Sequence, residues 1–443
     1  MLKLLHPGLH LKRWLLVLLA GMVLISLGIG YALTELYRSA VAPDWVTTAT
    51  LQFWPLLVRA ALFLALGAIL CVLAVRGLYR ALAAVVPTGS NANQSLLERI
   101  YEYRVRQGGP RIVCIGGGTG MPAVLRGLKQ HSANITAIVT VGDDGGSSGR
   151  LRREHGILPP GDFRNNIVAL AEVEPLMARL FQYRFPSSTR VGADGKAAED
   201  SDLGGHSFGN LFVLAMTGIT GNFEHALRET SRVLAVQGSI LPSTSQNVEI
   251  CAEFTDGSEV CGESLIPEVG KPIARVRLKP EHPSAQPEAV RAILEADLIV
   301  LGPGSLYTSV VPNLLVEGIG KALLQSDALK VYVCNVATQP GETDGYDVKA
   351  HVEALVQHLP GQVNPLDIVL ATAHAARPLD LDPAVALVTA DADLDAQPCL
   401  VVDDVVRDDH PLRHDSQKLG MTLMRLFAEQ RHRVSNGAIR ASR

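Results

Sequence analysis

Two adjacent carboxylates, Asp143 and Asp144, follow the apolar run Ile135–Val141 and open the stretch Asp143-Asp144-Gly145-Gly146-Ser147-Ser148-Gly149. Carboxylates beside hydroxyls suit a hard cation such as Mg2+, which takes one or two acidic ligands and keeps waters and substrate phosphates. In a turn, both carboxylates converge on a metal, or one binds it while the other ties down the loop; without a ligand they form a solvated or helix-capping Asx turn. An earlier glycine stretch, Gly116–Gly120, follows the apolar run Arg111–Ile115 and leads into a helix expected at Pro122–Lys129. A strand, a tight glycine turn and a helix aim free N–H groups at one point and bind anions without a side chain. The Lys-Ser/Thr of a P-loop and the GxGxxG spacing are both missing. The loop is therefore read as a phosphate or ribose wrap of another kind, or as a plain turn.

Further polar groups recur where apolar runs end. Arg150, Arg152 and Arg153 follow the acidic turn, and arginine grips phosphate bidentately. The stretch Leu158–Asn166 is rich in turn formers and predicts a loop running into a helix at Ile167–Leu180. In it, Asp162 either caps that helix or sits in the site, and Arg164 and Asn165 are candidate phosphate or base contacts. Gly204–Asn210 reads as a helix start at a pocket, where His206 donates to phosphate, shuttles a proton or makes a structural hydrogen bond. No GxSxG elbow surrounds Ser207, which makes it a poor nucleophile candidate. A last glycine turn at Gly302, Gly304 and Ser305 follows the strand Leu298–Leu301, and a strand at Lys330–Cys334 leads to Asn335.

These junctions need a scaffold that gathers strand ends. Strands alternating with helices, including Asn313–Leu324 and Val352–Leu359, predict an α/β fold with a parallel sheet and one crevice along its carboxyl edge. Glu249–Arg277 predicts a small antiparallel element, Phe185–Asp202 an insertion, and Ser416–Gln430 an amphipathic helix packed on the sheet and followed by a basic, frayed end. With a net charge of −4, nothing in the charge suggests a nucleic-acid binder. The six cysteines show no zinc spacing and read as buried thiols in a reducing compartment. Trp14–Thr34 is uncharged and long enough to span a bilayer, and Trp54–Val75 is a second candidate. Basic residues flank both outer ends of the pair, so the positive-inside rule predicts a hairpin with both ends in the cytoplasm. A signal peptide and a buried helical hairpin are the competing readings. The expected organisation is a hairpin region at 1–86, a linker at 87–110 and an α/β domain at 111–443.

Five blocks in order carry a resemblance: GGGTG from Gly116, DDGGSSGRLR from Asp143, PPGDFRNN from Pro159, GHSFGN from Gly205 and LGPGSLYTSVVPNLLV from Leu301. Together they resemble the gluconeogenesis-factor family, the bacterial branch of the 2-phospho-L-lactate transferase-like proteins, from about Arg111 to Gln430. The resemblance implies a Rossmann-like parallel sheet with helices on both faces, preceded here by the two-helix transmembrane hairpin of a membrane-attached variant. It implies that Gly117, Gly118 and Thr119 line a nucleotide phosphate, and that Asp143 or Asp144 binds metal. His206 and Asn210 would lie beside the donor nucleotide, with Gly302, Gly304 and Ser305 as a second glycine loop. His206 and Asp144 are the expected catalytic groups. Transferase relatives move a phospholactyl group from a guanosine-diphosphate carrier to a deazaflavin in F420 biosynthesis, using Mg2+. The gluconeogenesis-factor branch is similar instead to a binder of uridine-diphospho-sugars that regulates cell shape during gluconeogenic growth, with no assigned reaction. HSFGN at His206 and NVATQPGETDGY at Asn335 favour that branch, although Ala337 stands where it usually has methionine. The expected partners are a uridine-diphospho-sugar or related nucleotide, the membrane, a second copy of the chain and cell-wall synthesis proteins, with no nucleic acid. The expected location is the cell membrane, multi-pass, with the C-terminal domain cytoplasmic.

Overall fold

The computed structural model describes residues 106–172, 175–187, 203–373, 385–390 and 398–441, besides the single positions 26, 55 and 58. The chain divides into two units, Met1–Glu102 and Tyr103–Arg443. Both expected membrane segments, the linker up to residue 105 and most of Phe185–Asp202 lie outside the described residues. Among the described residues, no helix is long and apolar enough to cross a membrane.

In chain order the second unit begins β1 (Ile112–Gly116), α1 (Met121–Leu128), β2 (Ile135–Val139), α2 (Gly146–His155), α3 (Pro160–Leu170) and α4 (Pro175–Gln182). Next come α5 (Phe208–Thr220), α6 (Phe223–Val233), β3 (Ser239–Pro242), β4 (Glu249–Phe254), β5 (Glu259–Cys261), β6 (Ile273–Lys279), α7 (Pro287–Leu294) and β7 (Leu298–Leu301). A π turn at Leu306–Val310 leads to α8 (Val311–Leu314), α9 (Glu317–Gln325), β8 (Leu329–Val333), α10 (Val348–Gln357), β9 (Ile368–Thr372), β10 (Cys399–Asp403) and α11 (Ser416–Ala441).

Seven strands form one sheet in the order β10-β9-β8-β7-β1-β2-β3, with every pair parallel. Strands β1, β7, β8 and β9 are buried at every residue, as in a sheet covered on both faces. β1 lies inside, pairing with β2 on one side and β7 on the other. The winding reverses between them, so right-handed crossovers put the helices of the two directions on opposite faces. In keeping with this, α1 packs with α3 and α11, while α7 packs with α9. The smaller sheet, β5-β4-β6, is antiparallel as expected of Glu249–Arg277.

Several expectations need correction. The turn formers at Pro160–Asn166 are helical, because Pro160 occupies the first turn, where its missing N–H costs nothing, and Asp162 lies in that turn against the positive helix end. Ile167–Leu180 is not one helix: α3 stops at Ala171, whose extended backbone bridges to Val236. Gly146–Gly149 open helix α2 instead of continuing the acidic turn. Asn313–Leu324 breaks between α8 and α9, and Val352–Leu359 starts earlier, at Val348, behind an Asp347 cap. The tail stays helical to Ala441; it packs on α1 and also bonds to the sheet, Thr422 and Arg425 donating to Asp403 at the end of β10. Cys114 and Cys334 are buried thiols, but Cys399 is exposed, and Cys251 and Cys261 form a disulfide across β4 and β5.

Candidate functional site

The sheet reverses between β1 and β7, and open α/β sheets take their ligands at the carboxyl ends of the strands flanking such a point. Both glycine loops lie there. In the first, the Gly118 N–H donates to Asp162 Oδ2 at 2.6 Å, so a carboxylate of α3 already holds the loop that sequence offers to an anion. In the second, Gly304 and Asn335 exchange a pair of hydrogen bonds, and Ser305 caps the π turn while bonding to Glu342. Asn313 Nδ2 donates to Gly116 O and Ser309 O, strapping the two loops together.

Beside them opens a cleft of about 180 Å³ lined by Asp143, Gly145, Gly146, Ser147, Ser148, Gly161, Asp162, Arg164, Asn165, Arg184 and Asn210. This is below the roughly 300–1,000 Å³ of a whole small-molecule site, and it suits the charged part of a larger ligand. The N-terminal turns of α2, α3 and α5 contribute Gly146–Ser148, Gly161–Asp162 and Asn210. Neither α2 nor α3 has a side-chain cap, which leaves their first N–H groups to a ligand or water.

The walls carry opposite charge. On one side, burial raises the Asp143 carboxyl above its ordinary value, and burial pushes Asp162 up to about 6. Glu263, on the turn after β5, is pushed up to about 8 by burial and then by the charges of Asp143, Asp162, Asp144 and Glu342. On the other side, Arg164 is 7% exposed, and its guanidinium pKa is lowered by burial and by Arg184. It bonds to Ser207 Oγ and Asn165 Oδ1, while its Nε has no partner. Asn210, 2% exposed, leaves Oδ1 unpaired. Its Nδ2 donates to Ser147 Oγ at 3.0 Å, and the same hydroxyl lies 2.9 Å from His206 Nδ1.

The structure thus gathers Asp143, Asp162, Arg164, Asn165 and Asn210 in one cleft, with His206 behind Ser147. Gly117, Gly118 and Thr119, like Gly302, Gly304 and Ser305, do not line it; they build the adjoining switch-point loops. Asp144 turns elsewhere, with Oδ1 accepting the Ser264 N–H at 2.9 Å. Arg150, Arg152 and Arg153 donate to the carbonyls of Gly204, Val248 and Asp144, so they strap loops; the guanidiniums at the cleft are those of Arg164 and Arg184. Sequence reasoning missed Ser147, Arg184 and Glu263. Ser147 had a signal in the DDGGSSG stretch, whereas Arg184 and Glu263 are lone charges brought in only by folding.

Burial first, and repulsion from neighbouring carboxylates after it, raises Asp143, Asp162 and Glu263, so a cation beside them would be favourable, and their hard oxygens fit Mg2+. Among the described residues, the one close group of three metal-type side chains is Glu249, Cys251 and Cys261, and its cysteines are bonded to each other. An ion at the cleft would therefore take one or two carboxylates and complete its shell with water and ligand oxygens.

Fold and cleft define a doubly wound α/β protein with a two-signed polar cleft beside its topological switch point. The family described as 2-phospho-L-lactate transferase CofD matches residues 112–423. The gluconeogenesis factor of Bacillus subtilis strain 168 is 54% identical over 250 residues, 56% of this chain and 75% of that protein. That of Halalkalibacterium halodurans is 53% identical over 247 residues, 56% and 73% of the two chains. A Bacillus halodurans crystal structure at 2.60 Å has a TM-score of 0.63 at 42% identity, covering 71% of this chain and 99% of that one. The chain belongs to the CofD family, in its gluconeogenesis-factor branch.

Proposed function

We propose that the protein is a sugar-nucleotide-binding regulator of cell morphogenesis during gluconeogenic growth, taking a uridine-diphospho-sugar or a related nucleotide in the cleft. The observation that carries this reading is the pairing of Arg164, Arg184 and open helix N-termini with Asp143 and Asp162 across one small cavity. A diphosphate with a divalent ion has that charge pattern: its oxygens meet arginines and N–H groups, and its ion meets carboxylates. Asp143 and Asp162 would hold Mg2+, with Glu263 behind them. When bound, the ion neutralises diphosphate charge. Calorimetric titration of the whole protein with uridine-diphospho-N-acetylglucosamine and Mg2+ tests the reading. Binding at millimolar ligand or tighter is expected, and none by a folded protein rejects it.

A second reading, a Mg2+-dependent 2-phospho-L-lactate transferase, is supported by the family match and by the same carboxylates. The protein's part would be to hold the diphosphate on Arg164 and Arg184 and to orient it with Asn210. Incubation with the guanosine-diphosphate donor and the deazaflavin acceptor should then give phospholactylated product. Its absence beside an active control sinks this reading and leaves the first intact.

A further inference from the structure

Ser147 occupies an unusual place in the cleft. Its hydroxyl has one hydrogen to give and two lone pairs to fill. Asn210 Nδ2 can only donate, so it fills one lone pair. The contact to His206 Nδ1 decides the rest. If Nδ1 is bare, Ser147 must give its single hydrogen to the ring, and the cleft faces a lone pair that repels an anion. If the ring is an imidazolium, Nδ1–H fills the second lone pair. The Ser147 hydrogen is then released toward the cleft that the residue lines.

We propose that Ser147 is the hydroxyl that donates to an anionic oxygen of the ligand, and that it does so when His206 takes up a proton, so that binding and His206 protonation are coupled. The proposal rests on the reading of the cleft as a diphosphate site. Charged groups around the ring fit the coupling. From α2, Arg150 and His155 oppose protonation and Glu154 favours it; Arg184, on the segment after α4, also opposes it. Burial and these arginines keep the ring pKa below its ordinary value in the free protein. A bound anion offsets the arginines and raises it. Affinity therefore falls as pH rises through the histidine range.

The test measures affinity for uridine-diphospho-N-acetylglucosamine with Mg2+ by calorimetry from about pH 6 to about pH 8. Wild type is compared with His206→Asn, whose amide nitrogen takes the place of ring Nδ1 and can donate to Ser147 without titrating. The ratio of the two affinities isolates the histidine from Asp162 and Glu263, which titrate nearby. The wild-type advantage should fall about tenfold or more across this range. Ser147→Ala should bind about ten- to a hundredfold more weakly at pH 6 and lose the dependence on residue 206. If nothing binds, the diphosphate reading fails. If wild type binds and the ratio is flat with pH, the coupling is overturned; that outcome includes a neutral ring carrying its proton on Nδ1. If Ser147→Ala keeps the slope, Ser147 is not the link. Near-ultraviolet circular dichroism establishes that each variant is folded.

Discussion

A methyl group at position 161 would lie 2.3 Å from Ser148 Oγ and 3.0 Å from Asp143 Oδ2. The serine also hydrogen-bonds to that carboxyl, so it cannot rotate away freely. Gly161→Ala should leave the circular dichroism spectrum unchanged, cost about 1–3 kcal/mol by overpacking, and weaken ligand binding tenfold or more by displacing Asp143. Unchanged affinity would show that the acidic wall does not touch the ligand. The acids make a separate prediction. Asp162 sits at about 6 and Glu263 at about 8, both above their unfolded values. The folded state then keeps protons that the unfolded chain has lost, so stability falls as pH rises from about 4 toward 8, with Asp162 contributing on the order of 3 kcal/mol. Glu263→Gln should raise the ligand-free Tm at pH 8, and Mg2+ should raise the wild-type Tm more at pH 8 than at pH 5. A lower Tm for Glu263→Gln would contradict the assigned cause. At this scale, Asp143, Asp162, Arg164, Asn165 and Asn210 were legible because each sits in a glycine-rich polar block. Glu263 was not, since its acidic neighbours lie about a hundred residues away on other elements.

The β4–β5 hairpin sets where Glu263 stands. The Cys251–Cys261 disulfide joins its strands, and three residues beyond Cys261 the Ser264 N–H reaches Asp144. A cross-link closing so short a loop is worth about 2–3 kcal/mol. Replacing both cysteines by alanine should lower the Tm accordingly and weaken the effect of Mg2+ on it, because the Glu263 turn loses its staple. An unchanged Tm would assign the hairpin's stability to β6 pairing alone. The antiparallel element was legible in alternating residues, but the pairing was not. Spacing along the chain does not say which cysteines face each other until register is fixed. Helix α3 was misread for a related reason: Pro, Gly and Asn signal turns locally, yet Pro160 starts a helix well, and Phe163 and Ile167 are buried by packing.

For the whole molecule, strand alternation made the doubly wound sheet and its switch-point crevice legible, while the small sheet's position over the acidic turn depended on tertiary contacts. The proposed membrane hairpin makes its own prediction. In a background without native cysteines, an impermeant thiol label should reach a cysteine at Ser39 in intact cells and spare one at Ser95. The opposite pattern would reverse the topology and remove the cytoplasmic ligand from consideration.

Helix α11 packs on α1 so closely that a methyl on Gly420 would stand 2.7 Å from the Gly127 carbonyl carbon. Gly127 and Gly420 are separated by most of the domain. At about 5–20 residues per second, a ribosome needs roughly 15–60 s to travel from one to the other. Throughout that time the helix behind the first glycine loop has α3 beside it but lacks its C-terminal cover. Its eventual cover buries Leu419, Leu423 and Leu426, together worth roughly 5–9 kcal/mol as an upper figure, comparable to the net stability of a whole domain. A chain stopped before Ser416 should therefore be cut by protease throughout the sheet and not only at its new end; resistance equal to that of the full chain would refute this. The nascent protein makes its first glycine loop early and completes the packing behind it last, so its working lifetime begins only after α11 leaves the ribosome.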